Sequence, residues 1–172
     1  IDKGVGFEAY KKLKKKAFGC PSCFIVDKEI VVVPEGRFEG LKWSTASYLN
    51  AAIISTRVGI KDLGDAVKFG DVTDRYGIDQ LSVSDLIDFI FTIHEEGIIT
   101  EKDVGGLPLN RGDIDTVLTW IDKIAYRDGF GDVLADGWQG LMKYFGEDFV
   151  NKRSALIKGR EGVWDPRLSG LG

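Results

Sequence analysis

One histidine and two cysteines in 172 residues remove several kinds of chemistry at the outset. The lone imidazole, His94, falls late in a helical stretch beside Glu95 and Glu96, where a structural or solvent-facing role suits it. A Ser-His-Asp triad has nothing to recommend it. Two cysteines cannot build a disulfide framework, which points to a reducing, cytoplasmic setting. No apolar run approaches the roughly 18–20 residues of a membrane span, and the most apolar stretch, FIVDKEIVVV, is interrupted by charge. The net charge of −4 argues against a nucleic-acid or anionic-membrane surface. What is present, 44% hydrophobic and 29% charged residues, is ordinary for a globular domain with one substantial core. The chain opens on Ile1 and closes on a Gly-rich LSGLG, which reads as a piece of a longer protein.

The periodicity is mostly helical. FEAYKKLKKKAFGC spaces Phe7, Tyr10, Leu13 and Ala17 as a helix face, with Lys11 to Lys16 as its solvated basic end. Glu29 to Val33 is the best strand candidate, β-branched and stopped by Pro34. From Trp43 onward helices dominate. STASYLNAAIIS suits close packing, and IKDLGDAVKFGDVTDRYG aligns Ile60, Leu63, Val67 and Val72 before Gly77 ends it. SVSDLIDFIFTIHEEG offers a Ser82/Asp85 capping box and Gly97 as terminator. Asp113 caps a further helix with Ile114, Val117, Leu118, Ile121 and Ile124 as its core face, and FGDVLADGWQGLMKYFG is a glycine-broken helix or helix pair. The expected architecture is a mainly α, multihelical single domain over 1–172 with at most one short β-strand pair.

Two constellations could carry chemistry. Cys20 and Cys23 have the spacing that lets two thiolates reach one metal or cluster, and the same spacing suits a dithiol–disulfide couple. Zinc within this chain is disfavoured, because no second Cys or His pair completes four ligands. A thioredoxin-like site would place a strand before the pair and a helix after it, the reverse of the order here. In DRYGID, Asp74 and Asp79 flank Gly77. They serve either as a last-turn residue and a cap, or as acceptors for the amino and ring N–H groups of a ligand held at a left-handed turn. FGDVLADG lacks the strand-to-helix context of a phosphate loop.

Taken in order, these pieces resemble the aldehyde ferredoxin oxidoreductases, tungsten- and molybdenum-pterin enzymes. KKLKKKAFGCPSC resembles the approach to the family's Cys-x-x-Cys-x-x-x-Cys cluster motif, and DRYGID its Asp-x-x-Gly-Leu-Asp/Cys pterin motif, with Ile78 for Leu. IHEEGIITEKD, FGDVLADGW and IKGREGVWDPR are similar to three further landmarks, so the likeness runs over nearly the whole chain. The resemblance implies the middle helical domain of a larger enzyme whose β domain and third domain lie elsewhere. It implies Cys20 and Cys23 as ligands of a 4Fe-4S cluster, with Asp27 standing where the family has its third cysteine. It implies Asp74, Gly77, Ile78 and Asp79 as the shell of one pterin of a tungsten (or molybdenum) bis-pterin. Glu39, in EGRFEG, is the nearest match to the family's metal-side glutamate, although the Pro-Glu-Tyr core of that segment is lost.

The activity so implied is oxidation of an aldehyde to a carboxylic acid, with electrons passed through the cluster to ferredoxin. The isolated fragment is expected to be inactive, and the same resemblance implies a homo-oligomer for the full-length enzyme. Three other readings stay open: a tungsten subunit like that of benzoyl-CoA reductase, a cofactor-free helical interaction domain, and a redox Cys-x-x-Cys protein.

Overall fold

Asp62, Asp79 and Asp113 each stand one residue before an apolar periodic segment. In the computed structural model, which describes residues 4–45, 48, 50 and 54–162, each begins a helix. Asp62 accepts from the backbone N–H groups of Gly64 (2.7 Å) and Asp65 (3.1 Å), Asp79 from Ser82 (2.7 Å), and Asp113 from Thr116 (2.8 Å). A carboxylate there satisfies orphan donors and faces the positive end of the helix dipole. Helix α1 (Phe7–Leu13) precedes them. The capped helices are α2 (Leu63–Tyr76), α3 (Gln80–Glu95) and α4 (Ile114–Ala125), followed by α5 (Gly131–Ala135), α6 (Gly137–Phe145) and α7 (Glu147–Asn151). The glycine-broken segment is thus a pair of helices.

Ser82 and Asp85 do not form the expected capping box. Asp79 caps α3 instead, the Ser82 hydroxyl donates to Glu161, and Asp85 pairs with Arg57. A capping box does occur at Thr100 and Asp103, heading the 3-10 turn Glu101–Val104.

The class is mainly helical, as expected, but the strands number more than one pair. Strands β1 (Lys14–Phe18), β2 (Lys28–Val32) and β3 (Lys42–Thr45) form an antiparallel sheet in that order, and β4 (Leu156–Ile157) pairs with β5 (Arg160–Glu161). Val31 lies opposite Trp43 across β2 and β3, and Phe18 opposite Lys28 across β1 and β2.

The lysine run is where the helix expectation fails. α1 stops at Leu13, and Lys14 turns to extended backbone (φ −64°, ψ 124°). Across the ladder Glu29 accepts from Lys14 Nζ at 2.5 Å and from the Tyr10 hydroxyl, so one carboxylate ties α1 and β1 to β2. Four of the five β1 residues are exposed on both faces, so the strand carries no alternation that a period-2 search could find.

Two apolar clusters hold the chain together. The larger gathers α2, α3, α4 and α6, with Phe69, Ile87, Ile90, Trp120, Ile121 and Leu141 fully buried. The smaller joins α1, the sheet and the start of α2 through Tyr10, Leu13, Val31, Trp43, Leu63 and Val67. Phe38, on the β2–β3 connection, packs against both. Half of STASYLNAAIIS, and IKGREGVWDPR from 163 on, lie outside the described residues.

Candidate functional site

The acidic turn is built by two helix ends meeting at one glycine. Gly77 ends α2 in the left-handed region (φ 67°, ψ 30°), and its N–H donates to the carbonyl of Asp74. A side chain at Gly77 would be strained by that φ. The position is otherwise open, with nothing within 4 Å of where a Cβ would stand. Asp74 therefore lies on the last turn of α2, Ile78 between the helices, and Asp79 at the head of α3. Asp79 commits Oδ1 to Ser82. Asp74 commits Oδ2 to the indole Nε1–H of Trp43 at 2.6 Å. Both residues are exposed, and among the described residues the second oxygen of each carboxylate has no hydrogen-bond partner.

Ile78 also lines a cleft of 520 Å³, whose wall includes Val83, Leu86, Trp138, Arg160 and Glu161. Glu161 accepts from Ser82 Oγ and, at 2.8 Å, from Trp138 Nε1, which fastens the β4–β5 hairpin to α3 and α6. Burial pushes its carboxyl up. The hydrogen bonds from Ser82, its own backbone and Trp138 outweigh that and hold it below the usual range, with Asp79 as an opposing negative neighbour.

Cys20 and Cys23 lie on the β1–β2 connection. The Cys23 N–H donates to the Cys20 carbonyl at 3.0 Å, closing a tight turn, and both thiols are exposed. Phe24, Ile25 and Val26 follow, also exposed, Phe24 at 94%. Asp27 turns to Lys28, whose Nζ lies 2.7 Å from Oδ1; that hydrogen bond holds the carboxyl below its usual range. In return the hydrogen bond to Asp27 raises the Lys28 ammonium against its partial desolvation. Among the described residues no group of three His, Cys, Asp or Glu side chains stands close enough to hold a metal ion. Cys20 and Cys23 are thus two thiol donors of the four that a four-iron cluster takes, and on their own they do not complete one.

Glu39 is exposed on the β2–β3 connection. In an antiparallel sheet this puts it at the end of β2 opposite the cysteine loop, so the structure does not bring these residues together. Of the two roles expected for His94 the structure favours the structural one, with Nδ1 2.9 Å from the carbonyl of Ile99.

Trp43 escaped the sequence reading. Its indole is buried (6% exposed) and crosses α2 over Gly70, where a Cβ would come within 2.3 Å of the ring. The only sequence signals were an aromatic residue on a short strand and a glycine inside a helix, neither diagnostic. Glu161 lay inside the KGRE landmark without an assigned role.

Set against known proteins, residues 1–172 match the family model described as aldehyde ferredoxin oxidoreductase, domains 2 and 3. The chain is 31% identical over 164 residues to the tungsten-containing aldehyde ferredoxin oxidoreductase of Pyrococcus horikoshii, which covers 92% of this chain and 25% of that protein. It is 27% identical to the aliphatic sulfonate oxidoreductase WOR-like subunit of Pyrococcus furiosus, over 77% of this chain and 21% of that protein. The fold is shared, at 24% identity and a TM-score of 0.71, with a chain of the active-site complex BamBC of benzoyl coenzyme A reductase, covering 88% of this chain and 22% of that one. The chain spans about a quarter of the length of the first of these relatives. It belongs to the aldehyde ferredoxin oxidoreductase family, in the part that comprises domains 2 and 3.

Proposed function

We propose that this chain is the domain 2-like helical part of a tungsten-pterin oxidoreductase, and that its acidic turn holds one pterin. The observation that carries the reading is the pair of carboxylates, Asp74 and Asp79, each with one uncommitted oxygen beside the exposed left-handed turn at Gly77. Pterins present amino and ring N–H donors, and carboxylate oxygens are acceptors for them. Gly77 leaves room for a flat ring to approach the backbone, and Ile78 offers an apolar contact on the side of the cleft. The donor set therefore fits the group.

Bound there, a tungsten bis-pterin would supply the two-electron redox centre. The chain's own residues bind and orient it: Asp74 and Asp79 accept hydrogen bonds, and Gly77 sets the backbone. The whole enzyme would convert an aldehyde and water to a carboxylic acid, releasing two electrons and two protons, with ferredoxin taking the electrons singly. Cys20 and Cys23 would furnish two ligands of a four-iron cluster completed from outside this chain, with Asp27 beside them. Glu39 is the carboxylate proposed for the metal side, brought there by parts of the enzyme beyond the sheet that carries it.

A second reading, a cofactor-free helical interaction domain, draws on the absence of a third ligand beside the cysteine pair among the described residues. Metal and pterin analysis of the full-length protein separates the two. Tungsten with pterin supports the enzyme. A protein with no tungsten, molybdenum, iron or pterin above background supports the interaction domain and ends the first reading.

A further inference from the structure

Trp43 comes from a different element and a different core cluster than the acidic turn, yet it is the only described side chain bonded to Asp74. The contact has three parts. The indole Nε1–H donates to Asp74 Oδ2 at 2.6 Å. The ring lies on Gly70, one helical turn before Asp74, and a methyl group there would meet Cζ2 and Cη2 at 2.4 and 2.3 Å. The other face of the ring is sealed in the small core, leaving it 6% exposed.

We infer that Trp43 is the positioning residue for Asp74, holding its carboxylate so that the second oxygen faces a pterin at the Gly77 turn; this rests on the reading proposed above. An exposed aspartate at a helix end otherwise samples several rotamers. A bond to a rigid buried donor selects one before the ligand arrives, which removes an ordering cost from binding. The choice of donor matters as well. An arginine or lysine would offset the carboxylate's charge, whereas the indole N–H is a neutral donor. No cation pairs with Asp74 among the described residues, so its full charge remains for the donors of a ligand. Gly70 belongs to the same device, because any larger residue would lift the indole away from α2.

The test uses the full-length protein and measures pterin per chain, from the fluorescence of the oxidised, released pterin, alongside the thermal midpoint. Trp43→Phe keeps a ring but removes the donor. Gly70→Ala keeps both partners and displaces the indole. Leu63→Val weakens the same small core without touching Asp74 and serves as the control. Both Trp43→Phe and Gly70→Ala are expected to lower pterin occupancy about tenfold, as loss of an orienting partner behind a ligand-binding group does, while Leu63→Val retains it. Should Trp43→Phe prove insoluble, Gly70→Ala carries the same test. Variants that stay as fully loaded as wild type overturn the inference. So does an equal loss in Leu63→Val, which would make Trp43 a packing residue only. A wild-type protein without pterin overturns the underlying reading, and is distinguished by failing before any substitution is made.

Discussion

Asp79 has two duties at one carboxylate. Its Oδ1 caps α3, and its free oxygen is assigned to the ligand. Asp113 performs only the first duty, at the head of α4. Asp79→Ala and Asp113→Ala should each cost about 1 kcal/mol of stability, read from the denaturant midpoint at constant slope. Only Asp79→Ala should also reduce bound pterin in the full-length protein, and equal cofactor loss in both would remove Asp79 from the site. Glu161 makes a pH prediction. Its folded carboxyl titrates below the ordinary value of about 4.3, so the charged form is favoured by folding. The resulting stability is present above that ordinary value and is lost as pH falls through the lower folded one. Glu161→Gln should therefore lower the thermal midpoint at neutral pH and flatten its decline on acidification. A parallel decline in both proteins would show that Glu161 does not contribute.

Helix boundaries were legible wherever one residue type has one physical use. Asp113 before an apolar stripe, and glycine at the end of α2, were read correctly because a cap and a left-handed stop depend on local chemistry alone. Gly77→Ala tests the second directly. With φ at 67° it should destabilise by about 1 kcal/mol, measured by chemical denaturation, although alanine is the better helix former. What the sequence concealed depends on distant partners. Lys14–Phe18 shows no alternation because neither face is buried, and it becomes a strand only through its ladder with β2 and through Glu29. Ser82 and Asp85 had the spacing of a capping box, yet their partners, Glu161 and Arg57, lie far along the chain. The acidic turn was legible from DRYGID. Its anchor was not, since Trp43 stands 31 positions before Asp74.

At the scale of the molecule, Phe38 couples the two apolar clusters, and the α2 helix runs through both. Unfolding should be a single transition whether followed at Trp43, in the small cluster, or at Trp120, in the large one. Phe38→Ala should cost about 2 kcal/mol, less than a fully buried phenylalanine, and separate the two transitions when each tryptophan is followed alone. Coincident curves in that variant would show that α2 suffices to couple the clusters. The same layout explains why the candidate site residues were only partly assembled. The cysteine loop and Glu39 occupy opposite ends of one sheet, whereas the acidic turn hangs from the helices and meets that sheet through one indole.

Among the described residues strand β1 is one outer edge of its sheet, and Phe24, Ile25 and Val26 are exposed on the connection beyond it. An open backbone edge next to apolar side chains is a template for stacking one molecule on the next. Lys15 and Lys16, exposed on that edge, would bring like charges together in each such pairing and so oppose it in the isolated chain. Replacing Lys15 and Lys16 by threonine, which favours strands and carries no charge, should leave the fold intact and turn the isolated chain into a fibril-former, visible as light scattering and dye binding at low salt.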